Sequence, residues 1–222
     1  MSEATANTNI DAILWDFGGV FTTSPFEAFT RYEQEHGLPA DFIRTINATN
    51  PEHNAWAKFE SNSVDLNEFN DLFAAESKAK GFEIPGRDVI ALLSGDVRPR
   101  MIEVLKTCKA HYRVACITNN VKAGSGPGMS RSAAKAAAIQ QIMDQFDLVV
   151  ESSIEGIRKP NPDIYKLACQ RLDVATDRAV FLDDLGVNLK PAKALGMQTI
   201  KVLSESQAVD DLAKITGLVF PG

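Results

Sequence analysis

Very little in this sequence would staple a chain, carry it across a membrane or coat it with positive charge. It has 3 cysteines in 222 residues, Cys108, Cys116 and Cys169. An odd number without metal-type spacing excludes a disulfide framework and a zinc site, and the three read as reduced core thiols. The longest apolar run, Val89 to Leu93, falls far short of the roughly 20 residues that a membrane helix needs, so no membrane span is expected. Basic residues are scarce relative to acids, 23 Lys plus Arg against 29 Asp plus Glu for a net charge of −6. Such a balance offers no electrostatic footprint for nucleic acid or anionic lipid, and an anionic ligand would need a local site. Met1 to Asn9 has neither a basic start nor an apolar stretch. No secretory or transit signal is visible there, and a cytoplasmic protein is expected. The three histidines, His36, His53 and His111, fall near element boundaries and read as structural or solvated rather than catalytic.

With 45% hydrophobic and 23% charged residues, the chain has the composition of an ordinary globular protein, one large domain or one domain with an insert. A chain of this length buries roughly 70–75% of its unfolded surface and builds a core without staples. Ile10 to Trp15 is a short apolar run closed by Gly18-Gly19, as in a buried parallel strand. Similar runs recur at Tyr112 to Thr118, Asp147 to Val150, Ala179 to Leu182 and Thr199 to Leu203. Helical periodicity fills Met101 to Ala110, Ser132 to Met143 and Asp163 to Leu172. Strands alternating with helices predict an α/β fold, a Rossmann-like parallel sheet with helices on both faces.

The first interval breaks that alternation. About 95 residues separate Asp16 from Tyr112, too many for one crossover. They read as successive helices over Phe26 to His36, Asp41 to Ala48, Pro51 to Phe59, Leu66 to Lys80 and Arg87 to Leu93. The spacing predicts a helical cap domain over residues 23–96 inserted after the first strand, with the core formed by residues 1–22 and 97–222. Its edges fall in Thr22 to Pro25 and Gly95 to Pro99, both rich in turn formers. Phe69, Leu72 and Phe73 share one helix face, and Trp56 and Phe59 are expected to pack there as cap core. Ala123 to Ser130, with three glycines and a proline, has the composition of a mobile loop.

Ligands of open parallel sheets bind beyond the carboxyl ends of the strands. The first strand delivers Asp16 there, followed by Phe17-Gly18-Gly19. The second delivers Thr118 and Asn119, and the fourth the pair Asp183-Asp184. Lys159 sits in a proline-rich turn between the third and fourth. Carboxylates gathered at one point repel unless a cation binds, and an all-oxygen set with water suits Mg²⁺. A hydroxyl, free backbone N–H groups and a Lys ammonium are what a phosphate dianion needs. Together they point to phosphoryl transfer in which an Asp carboxylate attacks a phosphate screened by metal and Lys.

These stretches, Asp16-Phe-Gly-Gly-Val, Cys-Ile-Thr118-Asn, Arg158-Lys159-Pro-Asn-Pro-Asp-Ile-Tyr and Val-Phe-Leu-Asp183-Asp184-Leu-Gly-Val-Asn, resemble in order and spacing the four motifs of the haloacid dehalogenase superfamily. The helical insert is similar in place and size to the cap of the subfamily that includes phosphoglycolate phosphatases. Cys116 to Asn119 and Phe181 to Leu195 look most like the N-terminal phosphatase domain of soluble epoxide hydrolases and the related domain of acyl-CoA dehydrogenase family proteins. The large α/β-hydrolase domain of those two-domain relatives has no counterpart here, so epoxide chemistry is not expected.

The resemblance implies that Asp16 is a nucleophile forming an aspartyl-phosphate and also a Mg²⁺ ligand. It implies that Thr118 and the backbone of Asn119 bind phosphoryl oxygens and that Lys159 neutralises charge on nucleophile and phosphate. Asp184 would complete the protein's metal ligation, the carbonyl of Gly18 would add a ligand, and Asp183 would act through water or as an outer acid. Asn188 would orient the acidic loop. The expected enzyme is a Mg²⁺-dependent phosphatase acting on a small phosphorylated substrate. Nothing in the sequence sets its oligomeric state.

Gly18 departs from the family pattern, which places there an Asp that protonates the leaving oxygen and then activates water. Losing a general acid and base removes a contribution of about 10²–10⁴-fold. A slow or selective phosphatase is the expectation. The alternatives are a phosphate- and metal-binding module without turnover and a metal-independent dehalogenase, the last opposed by the Asp183-Asp184 pair.

Overall fold

The computed structural model describes residues 6–93, 95–120 and 133–221; the glycine-rich stretch at 123–130 lies outside them. A parallel five-stranded sheet forms the centre, in the order β3-β2-β1-β4-β5. The strands are β1 (Ala12–Trp15), β2 (Arg113–Thr118), β3 (Leu148–Glu151), β4 (Ala179–Asp183) and β5 (Gln198–Lys201). Period-two alternation along each strand sends neighbouring side chains to opposite faces. Ile13, Trp15, Val114, Cys116, Val180 and Leu182 join one core. Ala12, Leu14, Ala115, Ile117 and Phe181 join the other. The first face is covered by α6 (Pro99–Lys109), α7 (Ala133–Met143) and α11 (Glu205–Thr216) through residues such as Val104, Ile142 and Leu212. The second is covered by α9 (Pro162–Leu172) and α10 (Gly186–Ala194), which follow the one-turn α8 (Ser152–Glu155). Cys108, Cys116 and Cys169 are free and buried among these side chains, as their scarcity implied.

Helices α1 (Pro25–Glu35), α2 (Phe42–Ala48), α3 (Ala55–Glu60), α4 (Leu66–Lys78) and α5 (Gly86–Ala91) interrupt the α/β order after β1. They share a separate apolar cluster that includes Phe29, Ile43, Phe59, Phe69, Phe73 and Val89. The Phe59 and Phe69 rings stack with centroids 4.4 Å apart, and Trp56 meets Phe69 edge-on at 5.7 Å. Leu72 is only partly buried on that face.

Helix α3 begins at Ala55 rather than Pro51. Asn54 is the reason: its side-chain oxygen accepts the Ala57 N–H at 2.8 Å while its amide donates to the carbonyls of Asn47 and Thr49. That dual use fixes a cap position and leaves Pro51 to His53 in a turn. Helix α4 starts at a full capping box, with Asp65 and Glu68 satisfying each other's backbone N–H groups.

The two crossings between the helical insert and the sheet domain lie side by side. Thr22 bridges Val97, the Thr23 N–H donates to the Asp96 carbonyl at 2.8 Å, and the Asp96 N–H donates to Thr23 Oγ1 at 2.9 Å. Gly95 is required there, because a Cβ would lie 2.3 Å from the Thr23 carbonyl oxygen.

Candidate active site

Strand register brings the acids together. Trp15 pairs with Leu182, and the Asp16 N–H donates to the Leu182 carbonyl at 2.8 Å, so Asp16 and Asp183 emerge side by side. On the other flank of β1, Trp15 pairs with Cys116, which puts Thr118 at the same sheet edge. The chain reverses its winding at β1, and the crevice beyond such a switch point is where doubly wound sheets hold ligands. A cavity of about 510 Å³ opens there. Asp16, Gly18, Thr118, Asn119, Lys159 and Asp184 all contribute to its wall.

Lys159 is 1% exposed, and its Nζ donates to Asp16 Oδ1 and Asp183 Oδ2 at 2.8 Å each. The turn that carries it is clamped by Asn119, whose side chain accepts the Lys159 N–H at 2.8 Å and donates to its carbonyl at 2.9 Å. Pro162 then starts α9 behind an Asn161 cap, which ends the turn. Burial works against the ammonium charge, but the carboxylates of Asp16 and Asp183 outweigh it and hold Lys159 above its ordinary pKa.

Two of the carboxyl groups are raised as well, here by burial of their charge. Burial pushes Asp16 well up, with Asp183 and Asp184 adding to the rise and Lys159 opposing it. Asp184 is pushed up to about 6, by burial first and the charge of Asp183 next. Both shifts come from taking a carboxylate out of water close to other acids.

Oxygen atoms from Asp16, Asp183 and Asp184 lie within 4.8 Å of one another. They are not equivalent. Asp183 is fully buried, its Oδ1 taking the N–H of Leu185 and the amide of Asn188, and its Oδ2 taking Lys159 and the same amide. A carboxylate so occupied suits the outer role of the two that the sequence left open. Asp16 uses Oδ1 for Lys159 and for the Phe17 N–H, and its Oδ2 takes no hydrogen bond among the described residues. Asp184 accepts a long hydrogen bond, 3.4 Å, from the hydroxyl of Ser24. The Gly18 carbonyl accepts no backbone hydrogen bond among the described residues. Two open carboxylates and a carbonyl make a hard, all-oxygen donor set, which fits Mg²⁺ and leaves positions for water.

The loop after Asp16 depends on its second glycine. Gly19 has φ +74°, and a Cβ there would fall 2.2 Å from Asp184 Oδ2, whereas a Cβ on Gly18 meets nothing within 4 Å. Arg98 anchors the loop by donating to the Gly19 carbonyl at 3.0 Å. Gly19→Ala is therefore expected to lower stability by roughly 1–3 kcal/mol through backbone strain and to displace Asp184. A thermal melt together with a Mg²⁺ titration checks both effects. A variant that melts and binds like wild type would contradict them.

Several contacts that shape the site carried no sequence signal. Arg158 donates to Glu60 Oε2 at 2.6 Å and to the Pro51 carbonyl at 2.5 Å, tying the Lys159 turn to the helical insert. Burial pushes the Glu60 carboxyl up, and Arg158 opposes the shift. These partners stand 98 residues apart in the chain, so only the fold could bring them together. Trp56, expected to pack as cap core, also forms part of the cavity wall.

The match to known proteins agrees with this geometry. Residues 10–196 match the model of the haloacid dehalogenase-like hydrolases. Acyl-CoA dehydrogenase family member 10 of Mus musculus is 31% identical over 93% of this chain and 19% of its own length. Bifunctional epoxide hydrolase 2 of the same species is 28% identical over 87% of this chain and 36% of its own. The chain thus spans well under half of those two relatives. A sesquiterpene phosphatase of Aspergillus oryzae is 23% identical, with 95% of this chain and 98% of that one covered. Among solved structures, a haloacid dehalogenase family enzyme of Bacteroides thetaiotaomicron, in complex with magnesium and inorganic phosphate, superposes with a TM-score of 0.57 at 18% identity. The superposition covers 86% of this chain and 93% of that one, and it shows a shared fold. With its five-stranded parallel sheet, its helical insert and its acids at the strand ends, the chain belongs to the haloacid dehalogenase-like hydrolases.

Proposed function

We propose that the protein is a Mg²⁺-dependent phosphatase that works through an aspartyl-phosphate on Asp16. The observation that carries this reading is the buried Asp16–Lys159–Asp183 chain, which occupies one oxygen of Asp16 where that residue lines the cavity together with Asp184. Lys159 holds the Asp16 carboxylate in place through Oδ1, which leaves Oδ2 to attack phosphorus. Thr118 and the backbone N–H of Asn119 would receive the phosphoryl oxygens, while the side chain of Asn119 stays committed to the Lys159 turn. Asp16, Asp184 and the Gly18 carbonyl would hold Mg²⁺, with Asp183 oriented by Asn188 as the outer acid. Bound there, the ion would screen the phosphate charge against the approaching carboxylate. The phosphatase named among the relatives supports the reaction class, and a small phosphorylated substrate follows from it.

Phosphate release from p-nitrophenyl phosphate and acetyl phosphate, with Mg²⁺ or with EDTA, tests the reading. Release that survives EDTA unchanged would refute it. The pH dependence has a defined sign: Mg²⁺ binds the ionised carboxylates, and Asp184 holds its proton up to about 6 in the metal-free protein. Mg²⁺ affinity, followed by calorimetry, is expected to rise as pH increases through about 6 and to release protons as it does so. An affinity flat across that range would count against Asp184 as a ligand.

A further inference from the structure

Beyond the catalytic floor, the cavity changes character. Pro25, Phe26, Phe29, Trp56 and Leu93 from the helical insert and Val187 from α10 line part of it. Arg44, Asn47, Glu52 and Glu60 line other parts of the cavity, but these apolar side chains give no hydrogen-bond partner to a polar group laid against them. They suit an apolar group instead, and about 510 Å³ is room for one of medium length.

The same wall carries cations beyond Lys159. Arg158 borders the cavity next in sequence to Lys159, and Arg44 lies with its guanidinium carbon 4.4 Å from the centre of the Phe26 ring. The partner of Arg44 is Asp41, 3.2 Å away and itself largely exposed, a surface pair that gives up little when another anion arrives. Arg158 is held by Glu60, so Arg44 is the cation of this wall that a second anionic group can recruit.

Gly18 adds a chemical constraint. No side chain stands where an acid would protonate a leaving alkoxide, although a Cβ there would meet open space. The acids elsewhere on the wall are poorly suited to replace it: Glu60 is held at Oε2 by Arg158, and Glu52 stands exposed in the turn before α3. A leaving group that needs no proton removes the first of the two tasks such an acid would serve, leaving only the activation of water. A phosphate monoester is such a group, since its second pKa is about 6.

We infer that the substrate is the diphosphate ester of an apolar alcohol, cut at its terminal phosphorus. The inference rests on the phosphatase reading and narrows it to a substrate class. Asp16 Oδ2 forms a bond to the terminal phosphorus, and the bridging P–O bond breaks with its electron pair going to the inner phosphate, which departs as the alkyl phosphate dianion. Water then attacks the phosphorus of the aspartyl-phosphate and restores the Asp16 carboxylate. Both protons of that water end on the released inorganic phosphate. The apolar group lies against Phe29 and Trp56, and the product is an alkyl monophosphate that the site turns over poorly, because its own cleavage would require the missing acid.

The test compares decyl diphosphate, decyl phosphate, inorganic diphosphate and acetyl phosphate with the Mg²⁺-loaded wild-type protein. The expected kcat/KM for decyl diphosphate exceeds that for decyl phosphate by about 10²-fold or more, exceeds that for inorganic diphosphate as well, and the reaction stops at decyl phosphate. Gly18→Asp is expected to raise decyl phosphate turnover by about tenfold or more and so to narrow the preference. Decyl phosphate cleaved as fast as the diphosphate, or inorganic diphosphate cleaved as fast as its decyl ester, would overturn the proposal. Acetyl phosphate cleaved with decyl diphosphate untouched would overturn it while leaving the phosphatase reading in place. No release from any of the four would remove both.

Discussion

Asp16→Asn is expected to bring phosphate release down by about 10⁴-fold or more, because the amide keeps the shape of the side chain and loses the nucleophile. The fold is expected to survive. The introduced amide still accepts the Phe17 N–H and the Lys159 ammonium through its oxygen, and Lys159 keeps Asp183 at 2.8 Å. Stability is expected to hold or to rise, since burial and the neighbouring acids already push the Asp16 carboxyl well above its ordinary pKa. A carboxylate in that position opposes folding when it is ionised, so replacing it with a neutral group removes the opposition. Phosphate release and thermal melting, measured side by side, separate the two effects. An active variant would eliminate the aspartyl-phosphate mechanism, and an inactive one that fails to fold would contradict the stability argument.

Lys159→Met has the opposite profile, losing both activity and stability. The side chain is almost fully buried, and it is the only cation within hydrogen-bond distance of either Asp16 or Asp183 among the described residues. Without it, buried carboxylates face each other with no cation between them, a loss of about 3–5 kcal/mol. For a chain of this size that lowers the midpoint by roughly 6–20 °C. The deficit is expected to shrink on acidification, because Asp16 and Asp184 already hold their protons more tightly than usual and protonation removes the repulsion. Mg²⁺ is expected to recover part of it by supplying positive charge to the same oxygens. Melting curves at acidic and neutral pH, with and without Mg²⁺, check the sign of both effects. A variant as stable as wild type at neutral pH would show that the buried cation does not hold the acids together.

The parts of this molecule that were legible in sequence are those in which local chemistry and strand geometry coincide. Asp16, Thr118 and the Asp183-Asp184 pair were readable because apolar runs end at them, and parallel register carries those ends to one edge. The helical insert was readable from its length and periodicity alone. The start of α3 was not, because Pro51 resembles a helix beginning and the competing side-chain hydrogen bonds of Asn54 come from residues folded back against it. Helix α10 was obscured by Gly186 at its start and Pro191 within it, and neither its periodicity nor a side-chain cap announces it. The Arg158–Glu60 pair and the position of Trp56 on the cavity wall belong to a third class. They are tertiary juxtapositions between two cores, and no spacing within either segment encodes them.

The clasp between Thr23 and Asp96 has an evolutionary reach. Because the chain leaves the sheet domain and returns to it within 2.9 Å, everything between those residues could be excised and the gap closed by a tight turn with no strand displaced. The scaffold therefore behaves as a socket into which inserts of different size can be grafted. Lineages built on it could exchange the walls that select a molecule while inheriting the carboxylates that act on it.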